Sequence, residues 1–213
     1  MSLKVNEIYY SVQGESTHVG RPCIFIRLTY CNLRCTYCDT EYAFYEGEDM
    51  EISEIMTRIK QWNSNLVEVT GGEPLFQNEC IDLLKELLKQ NYEVMLETGG
   101  SLSIVDVPKE IIKIVDFKCP SSGMAKKNLW SIVNDLQPHD EVKFVIGNRE
   151  DFDWAATILN KYSLNEKCTI LFSPTFGKID SSLIVEWILD KNLPVRMQLQ
   201  MHKHIWELEK KGV

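Results

Sequence analysis

The sequence predicts an α/β fold: a partial, open β/α barrel forming a single domain over residues 1–213. Three observations carry that expectation. Strand-like and helix-like segments alternate from residue 22 to residue 201, and such alternation implies parallel strands joined by right-handed crossovers, with helices outside. About six βα repeats and a final strand can be counted, short of the eight that close a full barrel, which fits a partial barrel better than a flat doubly wound sheet, although periodicity alone does not separate the two. Finally, the residues of chemical character gather where strands end, and in parallel α/β folds those ends share one rim.

The elements follow in order. "EIYYSVQGE" adds a strand outside the repeat series. "CIFIRLTY" is strand-like, and three cysteines follow it at once. "ISEIMTRIKQW" puts Ile52, Ile55, Met56 and Ile59 on one helical face, with Ser53 as N-cap. "LVEVTGG" is a strand stopped by glycines. "NECIDLLKELLKQN" aligns Ile81, Leu84, Leu87 and Leu88 on one stripe behind Asn78 as cap. "YEVMLETGG" and "IVDFK" are strands, and a helix is expected near "AKKNLWSIVNDL". The strand "EVKFVIG", helix "REDFDWAATILNKY", strand "CTILFSP", helix "DSSLIVEWILDKN" and strand "VRMQLQ" complete the series.

A chain of 213 residues buries roughly 70% of the surface that its unfolded form exposes, enough for one large core. The 44% hydrophobic and 25% charged content is that of a globular protein. Net charge is −8 with the cations scattered, which leaves no electrostatic footprint for nucleic acid or an anionic membrane. The beginning "MSLKVNEIYY" lacks the apolar core of a signal peptide, and no apolar run approaches the roughly 20 residues of a membrane span. Seven cysteines without an export signal read as a reduced, cytoplasmic protein whose clustered thiols bind metal.

Cys31, Cys35 and Cys38 lie in "CNLRCTYC", between a strand and a helix. Three thiolates can hold three corners of a [4Fe–4S] cube and leave the fourth iron open to a non-protein ligand. Zinc on three cysteines plus His18 or a distant ligand is the alternative, but zinc motifs commonly pair two C-x2-C knuckles and only one occurs here. Cys23, Cys80, Cys119 and Cys168 read as small buried hydrophobes. Arg27 interrupts an apolar strand, and an inward-facing arginine needs an anion; the other possibility is an outward-facing surface arginine.

"CNLRCTYC", with Tyr37 before its last cysteine, resembles the cluster motif of radical S-adenosylmethionine (SAM) enzymes, as does "TGGEP", Thr70 to Pro74. "YSVQGES", "CDT", "DFKCPSSG" and "QMHKHIW" narrow that resemblance to the 7-carboxy-7-deazaguanine synthase family. The resemblance implies a partial barrel, a homodimer, an electron donor such as a flavodoxin, and three cofactors: a [4Fe–4S] cluster, SAM and Mg²⁺. The implied activity is ring contraction of 6-carboxytetrahydropterin. On the cofactor side it implicates Tyr37, Asp39, Gly71, Gly72, Glu73, Glu97, Lys118, Pro120, Ser121 and Ser122. Glu73 would accept from the SAM ammonium, and Glu97 from ribose hydroxyls. On the substrate side it implicates Val12, Gln13, Gly14, Glu15, Arg27, Thr70, Gln200 and His202. Arg27 would grip the pterin carboxylate with its planar fork. Thr40 matches a hydroxyl that binds Mg²⁺, although Asp39 is by chemistry the more obvious ligand. Two rival readings stay open: an activase that installs a glycyl radical on a large protein, and a non-catalytic iron–sulfur or zinc module.

Overall fold

The structure, a computed structural model, describes residues 1–207 and 210–212. Nine strands form one sheet in the order β3-β1-β2-β4-β5-β6-β7-β8-β9. Strand β1 (Ser2–Val12) pairs antiparallel with β2 (Pro22–Leu28), placing Glu7 opposite Arg27 and Tyr9 opposite Phe25. Strand β3 (Glu48–Glu51), which the sequence does not announce, adds antiparallel to the outer edge of β1. From β2 onward all pairing is parallel, through β4 (Leu66–Gly71), β5 (Glu93–Thr98), β6 (Ile112–Asp116), β7 (Glu141–Ile146), β8 (Thr169–Pro174) and β9 (Arg196–Met197). The order is linear, so the barrel stays open.

Helices α1 (Ile52–Ile59), α2 (Cys80–Lys89), α3 (Arg149–Tyr162) and α4 (Ser181–Asp190) occupy four of the six parallel crossovers. The starts of α1, α3 and α4 are set by side chains that satisfy free N–H groups. Glu51 and Glu54 form a reciprocal capping box on α1, so Ser53 lies inside the helix rather than at its cap. On α2 the cap position is Glu79, and the expected Asn78 falls one residue too early. Asn148 accepts from Asp151 N–H on α3, and Asp180 from Ser182 N–H on α4, each at 2.9 Å.

The helix expected near "AKKNLWSIVNDL" is two 3₁₀ turns, Ala125–Lys127 and Trp130–Asn134. Asn128 breaks it. Its buried amide clamps both backbone groups of Lys118, accepting at 2.9 Å and donating at 3.0 Å, while its own backbone takes ψ 128°. The β5–β6 crossover likewise holds no α-helix; Ile104 and Val107 anchor it to the core. Strand β9 is shorter than "VRMQLQ" because Gln198 turns inward, its side chain accepting from Ser16 N–H at 2.7 Å.

Side chains alternate across the sheet. Ile24, Ile26, Leu28, Val67, Val69, Val94 and Leu96 pack under the helices in the main core. The other face begins, at the amino ends of the strands, with an apolar floor of Cys23, Phe25, Leu66, Met95 and Ile114. Two residues further along each strand this face turns polar: Arg27, Glu68, Glu97 and Asp116, with Lys143 beside them on β7. The residues 13–21 cross the open barrel, where Thr17 N–H reaches Glu141 on β7 at 3.1 Å.

Candidate active site

The cysteine loop leaves β2 and is tied down from both sides. Cys38 N–H donates to the Cys35 carbonyl at 3.2 Å, and Leu33 N–H to Cys31 Sγ at 3.4 Å. Thr36 holds the loop to the segment after β6, its N–H on the Ser122 carbonyl at 3.1 Å and its hydroxyl on the Ser121 carbonyl at 2.8 Å. Cys31, Cys35 and Cys38 are all free and partly exposed. Burial pushes the Cys35 thiol up to about 11, with Lys118 acting in the opposite direction. That lysine supplies positive charge beside all three sulfurs. Among the described residues no three His, Cys, Asp or Glu side chains close on a single ion. A cubane gives each thiolate its own iron, and an open loop of three thiols fits that donor set.

Beside this loop, Gly72 admits the chain. A Cβ there would lie 2.2 Å from the Tyr30 carbonyl and 2.7 Å from Cys31 Cβ, so only glycine lets "TGGEP" approach the cysteines. Gly71, at φ 147°, packs as closely against Leu28. Three buried polar atoms lack partners among the described residues: Tyr37 Oη, Asp116 Oδ1 and Thr175 Oγ1. They lie in the cysteine loop, at the end of β6 and just after β8.

Several expected contacts are arranged otherwise. Glu73 is fully buried, and its carboxylate accepts from Gly99 N–H at 2.7 Å, Leu75 N–H at 3.1 Å and the Thr98 hydroxyl at 2.9 Å. It fastens β4 to β5. Ser122 donates to the Cys119 carbonyl at 2.6 Å, and Ser121 donates to Asp151, so both hydroxyls turn away from the rim while their carbonyls brace Thr36. Pro120 opens that 3₁₀ turn. Lys118 pairs with Asp116 at 2.9 Å. Burial works against its charge, but Asp116 and Cys35 hold its pKa above the lysine range.

A second polar cluster is built from the loop after β1 and the segment after β9. Val12 ends β1, pairing with Pro22. Gln13 donates to the buried Glu68. Glu15 receives Lys143 Nζ at 2.9 Å, Gln198 Nε2 at 3.0 Å and Gln200 Nε2 at 3.0 Å. Burial opposes its ionisation, yet Lys143 and these amides hold its carboxyl below the usual range. Glu68 goes the other way: burial, with Glu97 and Glu15 near, pushes it well up. The imidazole of His202 lies where a Cβ on Gly14 would be, 2.1 Å from Nδ1, and Met201 N–H donates to the Gly14 carbonyl at 2.8 Å. Burial lowers the His202 pKa, with Glu15 acting in the opposite direction. Thr70 donates to Glu97 at 3.3 Å. At the rim, Asp39 accepts from Lys203 at 2.6 Å and from the Thr40 hydroxyl at 3.0 Å, and Gln200 bridges toward it at 3.4 Å. Thr40 and Asp39 thus present adjacent oxygens, with Asp39 already neutralised by an ammonium.

Arg27 faces the inner side, but the protein itself supplies its anion. Nε donates to Glu7 at 2.7 Å and Nη2 to the Tyr9 hydroxyl at 2.9 Å, with Tyr42 donating to the same Glu7 oxygen at 2.8 Å. Next to this pair a cavity of about 430 Å³ is lined by Glu7, Tyr42, Arg58 and Lys211, and Lys211 Nζ sits 4.2 Å from the Tyr42 ring centroid. Lys211 thus lies against Tyr42; Val213 and its terminal carboxylate lie outside the described residues.

A sequence profile of the radical SAM superfamily matches residues 25–118. A 7-carboxy-7-deazaguanine synthase from Koribacter versatilis is 41% identical over 99% of this chain and 100% of its own. One of the same name from Chlorobaculum tepidum is 42% identical over 99% of this chain and 97% of its own. This chain belongs to the 7-carboxy-7-deazaguanine synthase family. Among solved structures, QueE from Escherichia coli shares the fold at TM-score 0.79 and 22% identity, covering 95% of each chain. SuiB from Streptococcus suis, solved bound to S-adenosylmethionine, shares it at TM-score 0.56 and 12% identity, over 80% of this chain and 45% of its own.

Within this synthase fold, sequence reasoning missed Glu68, Asp116, Lys143, Asp151 and Gln198. The argument that singled out Arg27, a charge inside an apolar strand, applies equally to Glu68 in "LVEVTGG" and Lys143 in "EVKFVIG". For Arg27 itself, Arg27→Lys should weaken pterin binding about 30-fold, the equivalent of roughly 2 kcal/mol for one charge-assisted contact. A point charge can keep Glu7 but not a second edge. Fluorescence titration with 6-carboxypterin measures it, and unchanged affinity would assign Arg27 to the Glu7–Tyr9 pair alone.

Proposed function

We propose that the chain is a radical SAM carbon–nitrogen lyase, a 7-carboxy-7-deazaguanine synthase. It contracts 6-carboxy-5,6,7,8-tetrahydropterin to 7-carboxy-7-deazaguanine with loss of ammonia, on the route to queuosine and other 7-deazapurines. The observation that carries this reading is the free three-thiol loop after β2 together with a polar cluster in which Glu15 gathers Lys143, Gln198 and Gln200. Full-length identity to relatives of that name supports it.

When bound, the [4Fe–4S] cluster and SAM supply a hydrogen-abstracting adenosyl radical, made by one-electron cleavage of SAM and aimed at C6 of the pterin. Cys31, Cys35 and Cys38 would hold the cluster. Tyr37, the backbone of Gly71 and Gly72, and Glu97 would hold SAM. Gln13, Gly14 and Glu15 would take the amide and amine edge of the ring and Arg27 its carboxylate, with His202 packed over Gly14. The loop 13–21 and the segment after β9 exclude water, which a radical reaction requires. Thr40 would hold Mg²⁺, which would supply charge to orient the carboxylate. Thr40→Ala should reduce the Mg²⁺ response of turnover with iron content intact; loss of that response in Asp39→Ala alone would move the ligand to the carboxylate.

The functional unit is a homodimer of one-domain chains in the cytoplasm, reduced by a small electron carrier such as a flavodoxin and binding no nucleic acid. Among the described residues no helix is long and apolar enough to cross a membrane.

The ring contraction removes no net electrons from the pterin, so the hydrogen taken from C6 can be returned and SAM regenerated. Reconstituted protein given the pterin, a reductant and SAM at a small fraction of the pterin concentration should form many products, identified by mass, per 5′-deoxyadenosine released. One nucleoside for every product at all SAM concentrations would rule out catalytic SAM.

A further inference from the structure

The molecule holds two buried lysines of different kinds. Lys113, 2% exposed, is a structural pair: one carboxylate, Asp140 at 3.0 Å, and one carbonyl, that of Ile111 at 3.1 Å. Lys143, 5% exposed, is shared among three carboxylates from three separate segments. Its ammonium meets Glu15 at 2.9 Å from the loop after β1, Glu97 near the end of β5, and Asp116 at 3.8 Å at the end of β6. Asp116 in turn holds Lys118 beside the cysteines.

A buried ammonium needs a paired anion, and one well-placed carboxylate suffices, as Lys113 demonstrates. Three converging carboxylates exceed that need. Glu15 belongs to the pterin half and Glu97 and Asp116 to the SAM half, so Lys143 is the cation where the two halves meet. We propose that Lys143 is a positioning residue that couples the pterin and SAM sites, holding Glu15 and Glu97 to one point so that each ligand binds a carboxylate already placed by the other half.

The inference rests on the functional reading above for the identity of the pterin, but not for its test on SAM. Neutral Lys143→Met leaves Glu15, Glu97 and Asp116 facing one another without their common counter-charge, so the carboxylates separate or take up protons. Both ligands then lose their preformed partners. Lys143→Arg keeps the charge and reaches more than one carboxylate.

The experiment measures equilibrium binding to anaerobically reconstituted protein, with no turnover: SAM by calorimetry and 6-carboxypterin by fluorescence. Lys143→Met should weaken both by about ten-fold or more, the scale of one charge-assisted contact, with iron content and circular dichroism as in the unmodified chain. Lys143→Arg should restore at least half of the lost binding free energy. Unchanged affinity for SAM in folded Lys143→Met would overturn the proposal. If the unmodified chain fails to bind 6-carboxypterin, the substrate reading falls, and the SAM arm still decides the role of Lys143. If Lys143→Met does not fold, Glu15→Gln carries the test, because Glu15 lies in the pterin half. A change of about three-fold or more in its SAM affinity supports coupling through Lys143; no change overturns it.

Discussion

Replacing Cys35 by alanine should remove essentially all cluster iron from the reconstituted protein and abolish product formation, and Cys31→Ala and Cys38→Ala should do the same. A cubane held at three corners has no protein ligand to spare, so losing one thiolate releases the whole group rather than a quarter of it. Cys80→Ala and Cys168→Ala should keep full iron. Their thiols are 0% and 8% exposed in the hydrophobic core, and burial pushes Cys168 up to about 12, far from the thiolate a metal requires. The measurement is iron per chain with the visible absorption of the cluster. Full iron and activity in Cys35→Ala would sink the assignment of the loop.

The second large effect concerns stability. Glu73→Ala should lower the melting temperature of the cofactor-free chain by roughly 6–12 °C. The carboxylate satisfies two backbone N–H groups and the Thr98 hydroxyl at full burial. Leaving a buried donor unmatched costs about 1–3 kcal/mol, so three of them, partly relaxed, amount to about 3 kcal/mol. For a chain of this size that corresponds to roughly 2–4 °C per kcal/mol. Thermal denaturation by circular dichroism, without iron or SAM, reads it. An unchanged melting temperature with a selective loss of SAM affinity would return Glu73 to the role the motif first implies, that of acceptor for the SAM ammonium.

The corrections share a cause. A motif read in one dimension assigns a side chain to whatever ligand its neighbours bind, but a side chain answers to the nearest group in space. Glu73, Ser121 and Ser122 sit within ligand-binding motifs, and their polar atoms are held by Gly99, Asp151 and the Cys119 carbonyl, partners 26, 30 and 3 residues away. The expected helix at 125–136 failed for the same reason. Its local pattern is helical, but the Asn128 amide gains more from Lys118, ten residues earlier in sequence, than from a helical turn.

By itself the sequence determined the parallel β/α order, the extra leading strand and the three-cysteine loop. These follow from hydrophobic period, glycine stops and ligand spacing, all properties of neighbours along the chain. Only the tertiary structure decided what the charges of the inner face do. Arg27 meets Glu7 because β1 lies antiparallel to β2, and Lys143 gathers Glu15, Glu97 and Asp116 because three strand ends converge. Whether a buried charge is free for a ligand or already paired depends on groups a few ångströms away in space and as many as 185 residues away in sequence, and no local pattern records that distance.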